Sequence, residues 1–130
     1  MTIHLSVKAA FAYTLPVFAC AFVIGAIRVT LVAPATGPLL AVALEVPLVL
    51  ALSRLVAGRV LRRWSPVGSQ RHAMAALAFA LLMLLELATA VAFGQTPVQF
   101  LTAMTTLAGA LGLAGQIGFA LIPLVRQVSG

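Results

Sequence analysis

The chain contains 130 residues, of which 63% are hydrophobic and only 8% are charged. Soluble domains carry about a quarter of charged residues, and disordered chains combine low hydrophobicity with high charge, so both classes are excluded. The net charge is +6, but no polar segment could present a basic face. We therefore expect the basic residues to contact lipid headgroups rather than nucleic acid. The composition indicates an integral membrane protein.

Four apolar segments are each long enough to cross a bilayer as a helix, which takes about 20 residues. Taken in chain order, they cover about residues 9–33, 38–57, 73–93 and 98–125. Pro and Gly mark short turns after the first and third segments, and the longest link joins the second to the third. The pattern predicts one all-α membrane domain over residues 1–130, an up-down bundle of four transmembrane helices.

The basic residues predict the orientation of these helices. Lys8 precedes the first segment, Arg126 follows the fourth, and most of the other basic residues lie in or beside the link between the second and third. The positive-inside rule then places both termini and this link in the cytoplasm. The predicted cytoplasmic surface, which serves for orientation or for contact with anionic lipid headgroups, comprises Arg59, Arg62, Arg63, Trp64 and Arg71.

Three ionisable side chains fall inside the spans at one level. With a helical rise of 1.5 Å per residue, Arg28, Glu45 and Glu86 lie roughly 8, 10 and 12 Å below the outer surface. Thr89 follows Glu86 on the same helix face and completes this intramembrane polar cluster. Charged groups facing lipid cost several kcal/mol, so these should turn inward and pair.

The polar cluster contains one arginine and two glutamates, so one carboxylate has no basic partner of its own. Arg28 can neutralise one glutamate, so the second is protonated, shares the arginine or meets a bound cation. Three roles stay open: fixing the helices in register, holding a proton, ion or small ligand, and contacting a partner helix.

The fourth segment carries no charge but has a stripe of small residues. Glycines recur every three positions at Gly109, Gly112, Gly115 and Gly118. Small faces let helix backbones approach closely. The stripe therefore predicts a packing face, either inside the four-helix bundle or at the interface with a second copy or another partner.

Cofactors and catalysis find little support in the sequence. Cys20 is the single cysteine, and with His4 and His72 it is too isolated to form a zinc site, which needs about four ligands. The chain shows no Ser–His or Cys–His arrangement that would indicate a nucleophile. We expect no cofactor and no enzymatic activity.

The polar motifs also carry a resemblance. The pattern Gly25-x-x-Arg28, a short turn, Glu45-x-Pro47 and then Glu86 in the next span resembles a group of small uncharacterised four-helix proteins of bacterial inner membranes. The resemblance covers most of the chain and implies the fold and location but no activity. From small size and lack of catalytic groups, we expect a non-catalytic accessory or assembly subunit of a membrane complex. The alternative is a small oligomeric transporter or channel with a proton or ion site in the polar cluster.

Overall fold

A computed structural model describes residues 2–125, and every regular element in that range is helical. Arg126, which was expected on the cytoplasmic side, lies outside the described residues. The elements, in chain order, are α1 (Thr2–Ile27), a π-helical segment (Arg28–Val32), α2 (Ala33–Thr36), α3 (Pro38–Trp64), α4 (Ser69–Ala92), α5 (Pro97–Ala103) and α6 (Leu107–Val125).

Four helices are long and apolar enough to cross a membrane. They are His4–Thr36, which joins α1 to α2 through the π-helical segment, and the helices Pro38–Trp64, Ser69–Ala92 and Leu107–Val125. The prediction of an all-α chain with four helices of spanning length is confirmed, and we treat the chain as a membrane protein.

The π-helical segment has a local cause in the sequence. Pro34 lacks a backbone N–H and cannot donate a hydrogen bond to the preceding turn. The N–H of Ala33 bonds to the carbonyl of Arg28, five residues earlier, so the helix widens there instead of breaking. Gly37, with φ of 90°, then turns the chain into α3, where Pro38 is suited to the first helical position.

The fourth apolar segment differs from the expectation of one span over residues 98–125. It forms the short helix α5, a turn over residues 104–106, and the long helix α6. The hydroxyl of Thr106 accepts a hydrogen bond from the N–H of Gly109 at 3.0 Å, which caps the start of α6. The same hydroxyl donates to the carbonyl of Ala103 at 2.7 Å. Thr106 therefore satisfies backbone groups that the break exposes.

The turn before α6 also requires a glycine. A Cβ atom on Gly109 would lie 1.9 Å from the carbonyl oxygen of Ala103, far inside van der Waals contact. The first glycine of the stripe therefore allows the end of α5 to lie close to the start of α6.

The helices pack as a ring in which α1 contacts α3 and α4, and both of these contact α6. The buried hydrophobic core fills mainly one half of this bundle. Its members are Ala9, Ala10, Tyr13, Val17, Ala57, Val60, Leu61, Met74, Ala78, Leu82 and Phe119. In the other half, Ala41 is the one buried hydrophobic residue of the part that the structure describes.

The packed half also carries the described basic residues other than Arg28. The hydroxyl of Ser6 donates to the carbonyl of Gln70 at 3.2 Å, so the start of α1 lies beside the start of α4. Lys8 and the α3–α4 link therefore share one end of the bundle, which we call the basic end. The loosely packed half extends to the opposite end, where α5 lies.

Candidate functional site

Arg28 and Glu45 form an ion pair between the first and second spans. The Nε atom of Arg28 lies 2.5 Å from Oε1 of Glu45. The pair is partly covered, with 30% of the arginine and 16% of the glutamate side chain exposed. A Cβ on Gly25 would lie 3.7 Å from Oε2 of Glu45, so this glycine packs against the pair.

Glu86 has a different partner from the one that its charge suggests. The Nε2 atom of Gln116, from α6, donates a hydrogen bond to Oε2 of Glu86, from α4. The other end of the amide, Oε1 of Gln116, is buried without a hydrogen-bond partner among residues 2–125. Glu86 therefore meets a neutral amide, whereas Glu45 meets the guanidinium of Arg28.

Both pairs line a single cavity of about 410 Å³ in the loosely packed half of the bundle. At one extreme it reaches Phe119, which belongs to the core. At the other it extends to Pro38, Phe100 and Thr106, at the start of α3 and around the break before α6. Between these limits the wall is mostly aliphatic, so the four polar side chains stand out in an apolar surround.

The charges in the cavity do not cancel. One guanidinium faces two carboxylates, so the fully ionised set carries one negative charge. The positive charge of Arg28 is balanced by Glu45, so the remaining negative charge lies on Glu86, whose partner Gln116 is neutral. An uncompensated charge in a low-dielectric region is costly, so a proton or a cationic group is the natural complement.

A stacked aromatic pair closes the cavity towards the basic end. The rings of Tyr13 and Phe119 are 4.4 Å apart and nearly parallel. The hydroxyl of Tyr13 donates to the carbonyl of Phe119 at 2.5 Å. This carbonyl needs an outside donor, because the residue four positions later, Pro123, has no N–H to give it. The break in the helical bonding of α6 is thus repaired from α1.

The Arg28–Glu45 ion pair also lines a surface outside the cavity. The ion pair borders a second hollow of about 210 Å³ between α1 and α3, whose other walls are aliphatic. Glu86 does not line this hollow. The ion pair therefore separates the polar cavity from an apolar groove on the outside of the bundle.

The structure brings three of the four residues of the predicted polar cluster into the cavity and leaves Thr89 outside it. Arg28, Glu45 and Glu86 share the cavity, as the depth arithmetic suggested. The hydroxyl of Thr89 instead donates to the carbonyl of Leu85 in its own helix at 2.8 Å, and Thr89 does not line the cavity.

The glycine stripe lies against α3 of the same chain. A Cβ on Gly115 would come within 3.1 Å of Val46, and one on Gly118 within 3.1 Å of Leu50. Gly112 is less crowded, with 4.0 Å to Val42. Of the two roles that the stripe predicted, packing inside the bundle is the one that these contacts serve.

The predicted basic surface lies at the basic end, away from the cavity. Arg59, Arg62 and Arg63 are exposed, and Arg71 is half-buried. The Cζ atom of Arg63 lies 5.2 Å from the centre of the Trp64 ring, within cation–π range. These side chains contribute nothing to the cavity.

Gln116 is the site residue that the sequence did not assign to the polar cluster, although its place in the inner half of the fourth span suggested that it could bond across to another helix. Counted from residue 98, it falls about 18 residues into the fourth span, in the inner half. Counted from Leu107, where α6 begins, it lies about 9 residues deep, which is the level of Glu86. If Thr106 had been recognised as the start of a helix, the predicted depth of Gln116 would have matched that of Glu86.

Comparison with known proteins adds no assignment. No family model, no curated protein and no solved structure matches the chain. Within residues 2–125, no group of three or more His, Cys, Asp or Glu side chains could hold a metal ion. The site must therefore be interpreted from its own geometry.

Proposed function

We propose that the protein is a small membrane transporter whose solute site is the cavity between α1, α3, α4 and α6. The supporting observation is a cavity of about 410 Å³ that holds an uncompensated carboxylate inside helices of spanning length. Ionisable groups at such depth are costly and mark solute or proton pathways. The volume lies in the range of about 300–1,000 Å³ that is typical of small-molecule sites.

The uneven packing of the bundle supports a one-sided path to this site. The cavity extends towards the α5 end, whereas the Tyr13–Phe119 pair and the core below it close the basic end. With the basic end in the cytoplasm, the site is reached from outside the cell, in an inner membrane with both termini inside. Transport then requires the aromatic pair to separate and the outer half to close.

A second copy is part of this proposal, because four helices are few for a transporter. The Arg28–Glu45 pair is partly exposed towards the aliphatic hollow between α1 and α3. A helix of a second chain lying in this hollow would cover the pair and close the cavity wall. The chain is accordingly proposed to work as a homo-oligomer.

Proton movement through Glu86 provides a test that needs no knowledge of the solute. Purified protein would be reconstituted into liposomes that contain a pH-sensitive dye, and a potassium diffusion potential would drive protons inward. We expect flux above that of protein-free liposomes, lost in Glu86→Gln and kept in the matched control Thr89→Val, which lies on the same helix but outside the cavity. Equal flux in Glu86→Gln and the unchanged protein would reject the proposal, as would a complete absence of flux.

The accessory-subunit role predicted from the sequence is a second proposal. Its supporting observation is the same aliphatic hollow, which could receive a helix of a different protein instead of a second copy. Native mass spectrometry after gentle extraction separates the two proposals. A stable hetero-complex supports the accessory role, and a homo-oligomer supports the transporter.

A further inference from the structure

The Glu86–Gln116 side of the cavity offers more acceptors than donors. The Nε atom of Arg28 donates to Glu45, whose carboxylate balances the arginine charge. The carboxylate of Glu86 receives one amide donor and has capacity for more. The Oε1 atom of Gln116 is an acceptor without a partner among residues 2–125. A ligand at this point is therefore met by acceptors and should bring N–H donors.

The charge of the site points in the same direction. An anion placed beside Glu86 would face an uncompensated carboxylate, while the arginine that could hold it is already paired. A bare metal ion would find too few ligands, since hard cations such as Ca²⁺ take about six to eight oxygens. A group with a single positive charge and N–H bonds matches both the charge and the acceptors.

The rest of the cavity wall suits an apolar body. Val42, Val46 and Leu113 line it together with Phe100 and Phe119. Aliphatic and aromatic walls with a few placed polar groups are typical of sites for small organic molecules. Aromatic rings also attract a nearby cation through their electron-rich faces.

We propose that the solute of this cavity is a small organic ammonium ion, with at least one N–H bond directed at Glu86 and Gln116 and an apolar body against the aliphatic wall. The inference rests on the proposed transporter function and specifies its substrate class.

Three probes of one shape test the charge preference. Benzylammonium, benzyl alcohol and benzoate share a ring and differ in charge. Each would be equilibrated by dialysis with the protein in nanodiscs, and partition into empty nanodiscs would be subtracted. We expect benzylammonium to bind at least about tenfold more tightly than benzyl alcohol, because hydrogen bonds between charged groups are stronger than those from a neutral hydroxyl. We expect benzoate not to bind.

Two variants locate the binding. Glu86→Gln should weaken benzylammonium by about tenfold or more, whereas Thr89→Val should leave it unchanged. Gln116→Met removes the amide acceptor and should also weaken benzylammonium but not benzyl alcohol. If Glu86→Gln fails to fold, judged by circular dichroism, the methionine variant decides the question.

The outcomes separate this inference from the function on which it rests. Equal binding of alcohol and ammonium, preference for benzoate, or indifference to Glu86→Gln and Gln116→Met would each overturn the ammonium class. If no probe binds but proton flux still depends on Glu86, the ammonium class is wrong and the transporter proposal stands. If binding and flux are both absent, both are wrong.

Discussion

The stability that the protein gains from the hydrogen bond between Tyr13 and the carbonyl of Phe119 should depend on Pro123. Tyr13 is fully buried, and Tyr13→Phe removes only the hydroxyl while keeping the stacked ring. The carbonyl would then be buried with no donor, since Pro123 has no N–H. Hydrogen bonds between membrane helices average about 0.6 and reach about 1.7 kcal/mol. With no alternative donor, we expect the loss to lie in the upper part of that range, about 1–1.5 kcal/mol.

The variant Pro123→Ala supplies the missing N–H and should remove this dependence. In that background the carbonyl of Phe119 can bond within α6, so Tyr13→Phe should cost about 1 kcal/mol less than in the unchanged protein. Comparing the cost of Tyr13→Phe in the two backgrounds cancels the loss of stability that comes from the volume that Pro123→Ala removes from the core.

The free energy of unfolding of the four proteins would be measured by SDS titration from mixed micelles, followed by circular dichroism. The same cost of Tyr13→Phe in both backgrounds would refute the repair of the proline break from α1. A Tyr13→Phe variant as stable as the unchanged protein would refute the importance of the hydroxyl itself.

Three further predictions concern the packing and the charges of the bundle, and each is tested by the same titration. Gly109→Ala should destabilise the chain by about 1–3 kcal/mol, because the new Cβ meets a backbone carbonyl, while the less crowded Gly112→Ala should stay within about 0.5 kcal/mol; similar losses in both would contradict the account of the turn. Gly115→Leu should destabilise even a single chain by more than about 1 kcal/mol, because the stripe packs on α3; a change in oligomeric state at unchanged monomer stability would instead indicate an interface. Arg28→Gln should lower the free energy of unfolding more than Glu45→Gln does. The arginine substitution leaves two carboxylates in one cavity without a cation, whereas Arg28 can turn to Glu86 when Glu45 is replaced. A larger loss for Glu45→Gln would contradict that assignment of charges.

The shared depth of Arg28 and Glu45 could be predicted because the chain itself limits the geometry, but the sequence left open which glutamate pairs with the arginine. Arg28 and Glu45 are separated by one short turn, so their helices must be neighbours that run in opposite directions. Counting residues from that turn places both side chains at one depth. The depth of Glu86 follows in the same way, by counting residues back from the turn after the third span. The depth arithmetic therefore identified three of the four side chains that form the two polar pairs of the cavity.

The remaining parts of the site depend on contacts that no local pattern encodes. Thr89 has the same helical spacing from Glu86 as many interacting pairs, but its hydroxyl bonds within α4. Gln116 reaches Glu86 only because α6 starts at a threonine cap that looked like the middle of a span. A single misplaced helix start shifts every depth counted from it.

The sequence by itself determined the helical class, the four helices of spanning length and the segregation of the basic residues to one end. These follow from the cost of unpaired backbone groups and charges in lipid, which depends on composition and order alone. The tertiary structure decided which side of each helix faces inward, and hence the Glu86–Gln116 contact, the Tyr13–Phe119 closure and the cavity between them. Helices that are apolar on every side carry no hydropathy signal for their rotation, so packing between small and large side chains settles it.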